Sequence, residues 1–474
     1  MKKFLTFLIM TVFILPACMG KNYKRPDLDL PETEVSSSQS EQTKADKDKK
    51  ENQTVQQWWT IFNDDVLNAM EKEALEYNSD LQLAIARVTQ AKGKLSMTRS
   101  NQYPRLDIVG SVGDSKSYDD LKKYDILSSR FSLGLVANYE FDLWGQYARA
   151  GQAAKAEFLA SKADKDAVIL SLTAEVAKQY FMLRTIDAQI IIAENTLKSR
   201  EESFNVYQNR FNSGVINELD LRRVEAEMES VRAQLYSLQY ELKQIETAIS
   251  VLLGKTPKAI AEQSLERGKE IKDIVADIQI PQGIPSDLIS RRPDLKKSEM
   301  QLKAANADVG SAKAVYFPSI ALTGSAGFAS YELKDLFEDD SKTWSYSGNI
   351  TVPIFRGGQV KGNYKIAKAQ FEQALTSYKQ AVRIAFKEVF DAINSNSITK
   401  DALQARQKQT AALERSYELS LKREKAGISS LLDVLDVERM LLQSQIDLAS
   451  AQMEQLLAIV DICKSLGGGW IDEK

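Results

Sequence analysis

The sequence predicts an α plus transmembrane β fold: a duplicated subunit of long coiled-coil helical hairpins that carries four barrel strands. Three observations predict it. The chain repeats itself at a fixed offset, each copy contains apolar seams at helical spacing far longer than an ordinary helix needs, and each copy contains two short segments with strict two-residue alternation.

The duplication comes first because it organises everything else. Asp80-Leu81, Pro104, Gly110-Ser111 and Gly113 recur as Asp294-Leu295, Pro318, Gly324-Ser325 and Gly327, at an offset of 214 residues. The offset then slips to 213, where Phe158, Glu175, Gly214, Leu219-Asp220, Val224-Glu225, Leu235 and Gly254 meet Phe371, Glu388, Gly427, Leu432-Asp433, Val437-Glu438, Leu448 and Gly467. Two copies of one unit, 58–254 and 286–469, are joined by an irregular segment at 255–285 that holds Pro257, Pro281, Gly283 and Pro285.

Helices fill most of each copy. Leu221, Val224, Met228, Val231, Leu235, Leu238, Leu242, Ile245, Ile249 and Leu252 recur in steps of three and four, a coiled-coil seam. Leu172, Val176, Leu183, Ile186, Ile190, Leu197, Phe204, Tyr207 and Phe211 form another, with Gln179, Ala193 and Arg200 as its weaker members. Asn212-Ser213-Gly214 separates the two and suits a tight helix-to-helix turn. A helix from Gln146 to Phe211 would be roughly 100 Å long at 1.5 Å per residue.

The strands lie near 105–113, 131–141, 319–328 and 344–354. From Phe131 to Phe141 the odd positions are apolar or aromatic, while Ser132, Gly134, Asn138 and Glu140 take most of the even ones. Trp344, Tyr346, Ile350, Val352 and Ile354 alternate in the same way with Ser345, Ser347, Asn349 and Thr351. A soluble sheet with one wet face has this pattern too. Against that reading, the strands come as isolated pairs between very long helices, and the joining segments, Asp114 to Arg130 and Ser330 to Thr343, are polar enough for exposed loops. Four strands cannot close a membrane barrel, which takes about eight. The subunit must therefore associate: a dimer would supply eight strands and a trimer twelve, the larger barrel leaving a generous polar lumen.

The N-terminus is an export signal. Lys2 and Lys3, the apolar run Phe4 to Leu15 and the small Ala17 have the layout of a signal peptide over residues 1–17. Leu15-Pro16-Ala17-Cys18 resembles a bacterial lipobox, with Pro16 departing from the usual small or hydroxyl residue. It implies cleavage before Cys18 and a covalent lipid on its thiol. Residues 18–57 then read as a lipidated start and a solvated tether, and 470–474 as a short tail.

Composition removes other classes. Of 474 residues, 62 are basic and 65 acidic, so no cationic excess is available to hold nucleic acid. Histidine is absent, which takes away the commonest general base and metal ligand. Two cysteines, Cys18 and Cys463, cannot build a thiolate cluster, and the sequence holds no phosphate loop and no nucleophile elbow. Neither cofactor nor resident metal is expected.

Four stretches carry a family resemblance. Trp58-Trp59, Phe62, Asp64, Ala74-Leu75, Asn78 and Asp80-Leu81 form the first; Arg291-Arg292-Pro293-Asp294-Leu295 the second; Tyr316-Phe317-Pro318-Ser319 with Pro353-Ile354-Phe355-Arg356-Gly357-Gly358 the third; and Leu432-Asp433-Val434-Leu435-Asp436 the fourth. Together they resemble the TolC-like outer-membrane efflux proteins, in their lipoprotein branch, over the chain from Trp58 to Gly469. The resemblance implies a homotrimer with a twelve-stranded barrel and a periplasmic α-helical tunnel, a lipid-anchored place in the outer membrane of a Gram-negative bacterium, and docking to a periplasmic adaptor and an inner-membrane transporter. It implies passive export of small molecules such as drugs. A secreted polypeptide or metal ions are alternative cargoes, and a non-channel periplasmic coiled-coil scaffold is the remaining reading.

The resemblance also implies where control resides. Leu432, Asp433 and Asp436 match a periplasmic gate, an apolar ring with acidic rings beside it. In a trimer each carboxylate would face two copies of itself, which favours protonation, bound cations or opening. The residues themselves also allow Asp433 as a helix cap and Asp436 as a solvated side chain. Gly214 and Gly427 mark the two tunnel-tip turns where an adaptor would dock. Arg210 and Arg423, one turn earlier, either pair with carboxylates on neighbouring helices or satisfy helix C-termini.

Overall fold

The computed structural model describes residues 21–27, 55–119, 124–262, 265–276 and 288–468. Contacts divide the chain into two compact units. One takes residues 1–28, 87–162 and 297–379, the other 29–86, 163–296 and 380–474.

The first unit holds a four-stranded sheet: β1 (Arg105–Asp119), β2 (Tyr124–Phe141), β3 (Ser319–Ser330) and β4 (Lys342–Thr351). They lie in that order with every neighbouring pair antiparallel, so among the described residues one edge of β1 and one of β4 have no partner strand. The register decides the faces. Ile108 stands opposite Leu135 and Leu135 opposite Ala326; Ala326 in turn faces Trp344. The same face carries Leu106, Val112, Leu133, Leu322, Tyr346 and Ile350, and Ile108, Val112, Trp344 and Tyr346 are each at least 75% exposed. Alternation puts the hydroxyls and amides opposite. Ser111 and Ser132 share a hydrogen bond of 2.7 Å, Thr323 donates to Asn138 at 3.0 Å, and Ser325 and Ser345 share one of 2.8 Å.

Two strand boundaries differ from expectation. Within the segment 114–130, expected as an exposed loop, residues 114–119 and 124–130 continue the ladder, with Ser115 opposite Ser128 and Tyr118 opposite Asp125. Ladder hydrogen bonds run between backbone groups whatever the side chains, so polarity did not mark the strand end. The strand expected to reach residue 354 stops at Thr351. Pro353 has no N–H to continue a ladder.

Helices in this unit include α2 (Ser79–Ser100), which spans its boundary with the other unit, and α5 (Pro293–Ala314), which leads into β3. Ala153, Ala156, Ala304 and Ala307 pack together where small residues let helices approach closely. The stretch 21–27 is strapped to α5: Arg25 binds the buried Glu299 at 2.6 Å, Tyr23 donates to the same carboxylate at 3.3 Å, and Asn306 donates to the Lys21 carbonyl.

The second unit is helical. Helices α3 (Gln146–Asn212) and α6 (Gln359–Lys425) have 67 residues each, about 100 Å at 1.5 Å per residue, and start in the first unit. Their hairpin partners α4 (Glu218–Leu252) and α7 (Leu431–Ser465) have 35 each. Equal lengths at the duplicated positions are the structural form of the sequence repeat. The predicted seam on α4 is buried from Leu221 to Ile249 apart from the half-buried Leu242.

Residues of the resembling motifs organise this unit's core. Trp58, Phe62 and Phe181 form edge-on aromatic contacts, and Trp58 Nε1 donates to Thr173. Asp64 caps α1 (Asp65–Tyr77), accepting from the Val66 and Leu67 amides, from Tyr180 Oη at 2.6 Å and from the Lys269 amide at 3.0 Å. Arg292 is buried and bridges Asp294, Glu388 and the Ser465 carbonyl. The 255–285 segment contains a short helix (Pro257–Glu262) and a 3-10 turn (Ile271–Asp273). Among the described residues no helix is long and apolar enough to cross a membrane.

Candidate gate and helical tips

Each hairpin turns on a glycine. Gly214 and Gly427 both have φ of +72°, a left-handed conformation that costs a side-chain-bearing residue about 1–2 kcal/mol. The amides of Val215 and Ile428 reach back to the carbonyls of Arg210 and Arg423, while the glycine amides bond Phe211 and Glu424. This double bond pattern is the Schellman stop of a helix. The Gly214 and Gly427 assignments as turn residues therefore have a backbone cause.

The next helix in each copy is capped in a related way. Asn217 accepts from the Asp220 amide at the start of α4. At the start of α7, Ser430 Oγ accepts from the Asp433 amide while the Asp433 carboxylate accepts from the Ser430 amide at 3.0 Å and from Ser429 Oγ at 2.8 Å. Asp433 is thus the acidic half of a capping box. The Ser429 hydroxyl and the Ser430 amide and hydroxyl hold its carboxyl below the usual value, with the Arg423 charge adding to them. Within one chain this opposes protonation. Asp436 pairs with Arg439 at 3.0 Å, both side chains well exposed. Leu432 is 44% exposed.

Arg210 bridges rather than merely capping its helix. Its Nη1 lies 3.5 Å from Glu424, its guanidinium sits 5.1 Å over the Tyr207 ring, and Tyr207 donates to Glu424 at 3.1 Å. Burial and the Glu424 charge push the Tyr207 hydroxyl up to about 12. Tyr207, Leu221, Val224 and Leu435 form a small core around this link, joining the first hairpin to the second. Outside that core, Val215, Leu219, Ile428 and Leu432 stay exposed, and they are duplicate pairs at the 213-residue offset.

Sequence reasoning missed the deeper link. Arg200 is 2% exposed and lies 2.7 Å from Glu227 and 3.3 Å from Glu438, which also accepts from Tyr417 Oη at 3.2 Å. Four helices, α3, α4, α6 and α7, meet at one buried charge. Burial raises the Glu438 carboxyl despite the opposing Arg200 charge. The available signal was an arginine on an apolar seam, which demands a buried counter-charge. Glu424 and Tyr207 carried no comparable signal, since the contact joins residues more than 200 positions apart. Cys18 lies outside the described residues. Cys463, read from its apolar neighbours, is buried at 3% exposure.

A sheet with one lipid-compatible face, one polar face and two edges unpaired among the described residues, in a chain of long helical hairpins, defines a subunit of an outer-membrane channel. The chain belongs to the outer membrane efflux protein family, whose model matches residues 71–255 and 284–468, one match to each copy. It is 31% identical over 452 residues to the cation efflux system protein CusC of Escherichia coli O6:H1, covering 95% of both chains. It is 32% identical over 413 residues to the solvent efflux pump outer membrane protein SrpC of Pseudomonas putida, covering 86% of this chain and 87% of that one. The crystal structure of the Campylobacter jejuni CmeC outer membrane channel superimposes with a TM-score of 0.86 at 27% identity, covering 95% of each chain. The TolC-like resemblance, the duplicated helical and β fold, the outer-membrane location and the role as an efflux exit duct are those of this family.

Proposed function

We propose that three copies of this chain form the outer-membrane duct of a tripartite efflux system, passing small molecules without catalysing a reaction. The observation that carries this is the sheet: its apolar face spans all four strands, its polar face is self-bonded, and among the described residues both edges are open. Open edges joined between copies remove unpaired backbone groups that lipid cannot satisfy. Twelve strands give a wider lumen than eight.

The exposed apolar residues Val215, Leu219, Ile428 and Leu432, repeated on both turns around Gly214 and Gly427, support docking of a periplasmic adaptor that delivers cargo from an inner-membrane transporter. Arg210 belongs to this neighbourhood as the residue that steadies the tip, and Arg423 as a cation beside Asp433. Leu432, Asp433 and Asp436 form the gate in this reading. Asp433 would contribute a ring of ionised carboxylates, because its caps favour the charged form, so cations rather than protons would neutralise it. A lipid on Cys18 would hold the mature N-terminus at the membrane.

Cargo has two readings. Organic solutes follow from the likeness to a solvent pump component and metal ions from the likeness to a cation system component. Export of labelled metal and of dyes from whole cells separates them.

Single-channel conductance in a planar bilayer tests the duct and the gate together. The wild-type oligomer should show a small conductance that added cations alter, and Asp433→Ala with Asp436→Ala should enlarge it. A correctly inserted oligomer that stays silent even with both substitutions would instead support the non-channel scaffold.

A further inference from the structure

The connection between β3 and β4, residues 331–341, is a folded element with an apolar side. Successive 3-10 turns run through it: the amides of Asp335, Glu338 and Ser341 bond the carbonyls of Glu332, Asp335 and Glu338, and Ser341 Oγ donates to the Asp335 carbonyl at 2.6 Å. Leu336 is buried at 6% exposure, so the segment has a small interior of its own.

Its position matters more than its shape. The Phe337 ring lies edge-on to Phe328 at 5.6 Å, and Phe328 stands in register with Leu133 on the apolar face of the sheet. The connection thus meets the sheet on the lipid-facing side. Phe337 is 68% exposed there, and the stacked pair Trp344 and Tyr346 lies on the same face two and four residues past the ladder's start; Leu333, in the same connection, is 63% exposed. The charged residues Glu338, Asp339 and Asp340 follow at once, with Lys342 paired to Asp339. An apolar surface continuous with an aromatic-rimmed lipid face and bounded by charge matches the zone where acyl chains give way to headgroups.

We propose that residues 331–341 form a membrane foot, with Leu333 and Phe337 seated in the outer interfacial layer of the lipid bilayer beside the barrel rather than over its aqueous mouth. The proposal rests on the outer-membrane reading of the sheet. Its effect would be to widen the barrel's apolar footprint at the outer rim and fix the depth of β3 and β4. Placing these two large apolar side chains in lipid removes from water a surface that would otherwise promote aggregation.

Nitroxide labelling of the full-length oligomer in phospholipid vesicles tests it. Single cysteines replace Leu333, Phe337, Asp340 and Ile350 in separate variants, and the signal of the unsubstituted oligomer, which holds Cys18 and the buried Cys463, is subtracted as background. Collisions with oxygen, which concentrates in lipid, are compared with collisions with a water-soluble nickel chelate. The foot predicts several-fold higher oxygen than nickel accessibility at Leu333→Cys and Phe337→Cys, with the order reversed at Asp340→Cys. Nickel dominance at 333 and 337 overturns it and places the connection in water. Exclusion of both reagents there overturns it in favour of a neighbouring copy covering the patch. Ile350→Cys, on the sheet's apolar face, separates the two levels of failure. If oxygen dominates at 350 but not at 337, the foot falls and the membrane barrel stands; if it dominates at neither, the barrel reading falls with it.

Discussion

Glu71 is the residue at which this core departs most from its pattern. It occupies the inward stripe of α1 with Leu67, Met70 and Ala74, is fully buried, and neither carboxylate oxygen has a hydrogen-bond partner in the described structure. Burial alone holds its pKa well above the ordinary 4.5. The folded state therefore binds the proton more tightly than the unfolded chain, and stability falls as pH rises from about the unfolded value towards the folded one. Glu71→Gln should remove that pH-dependent loss, and Glu71→Met should stabilise the protein at neutral pH by about 1–3 kcal/mol. Thermal unfolding of the purified oligomer between pH 5 and 9 checks both: curves for wild type and Glu71→Gln that run parallel would show that Glu71 is not protonated in the fold.

At the scale of elements, the paired hairpins are held by polar contacts in an otherwise apolar seam. Arg200 links α3 to α4 through Glu227 and to α7 through Glu438. Removing the arginine alone leaves the buried Glu438 without its counter-charge and beside the part-exposed Glu227, so Arg200→Ala should cost about 3–5 kcal/mol. Arg200→Met combined with Glu438→Leu should recover much of that loss, because apolar side chains of similar volume suit the site. Proteolysis near the turns, compared across wild type, single and double variants, reports whether the hairpins part. If the single variant is no more readily cleaved than the double, Arg200 is not what joins them. The capping box at Ser430 and Asp433 belongs to this scale too: a gate substitution at Asp433 also alters a helix start, so its conductance should be read beside a circular dichroism spectrum.

For the whole molecule, the decisive property is the pair of open strand edges. If copies close a barrel, β1 of one must pair with the outer edge of β4 in the next. Cysteines placed along β1 at Asp107, Val109 and Ser111 and along β4 at Thr343, Ser345 and Ser347 should give oxidised species of three chains in denaturing gels, strongest where the register matches. A ladder ending at two chains would mean eight strands and a narrower lumen. Trimers that form without any edge cross-link would place the contact in the helices alone.

What the sequence by itself determined here is periodic and local. Steps of three and four announce helices of any length, two-residue alternation announces strands, and a repeat at 213 or 214 residues announces two copies; each follows from geometry that every residue obeys independently of its distant neighbours. The turns at Gly214 and Gly427 were legible for the same reason, since a left-handed position favours glycine wherever it occurs. Tertiary structure alone decided the rest. The sheet order and its common apolar face came from pairing β2 with β3 across the long hairpin between them, and no local pattern specifies that partner. The strand ends near 119 and 124 were invisible because the polar segment 114–130 has no apolar alternation to read, while the ladder is made by backbone groups. Asp433 was assigned by resemblance to a gate and by chemistry to a cap, and only the fold showed the second, with two carboxylate bonds to the preceding serines. The links through Glu424 and Arg200 join segments whose meeting depends on how whole helices pack, and that is a property of the folded chain rather than of any window of its sequence.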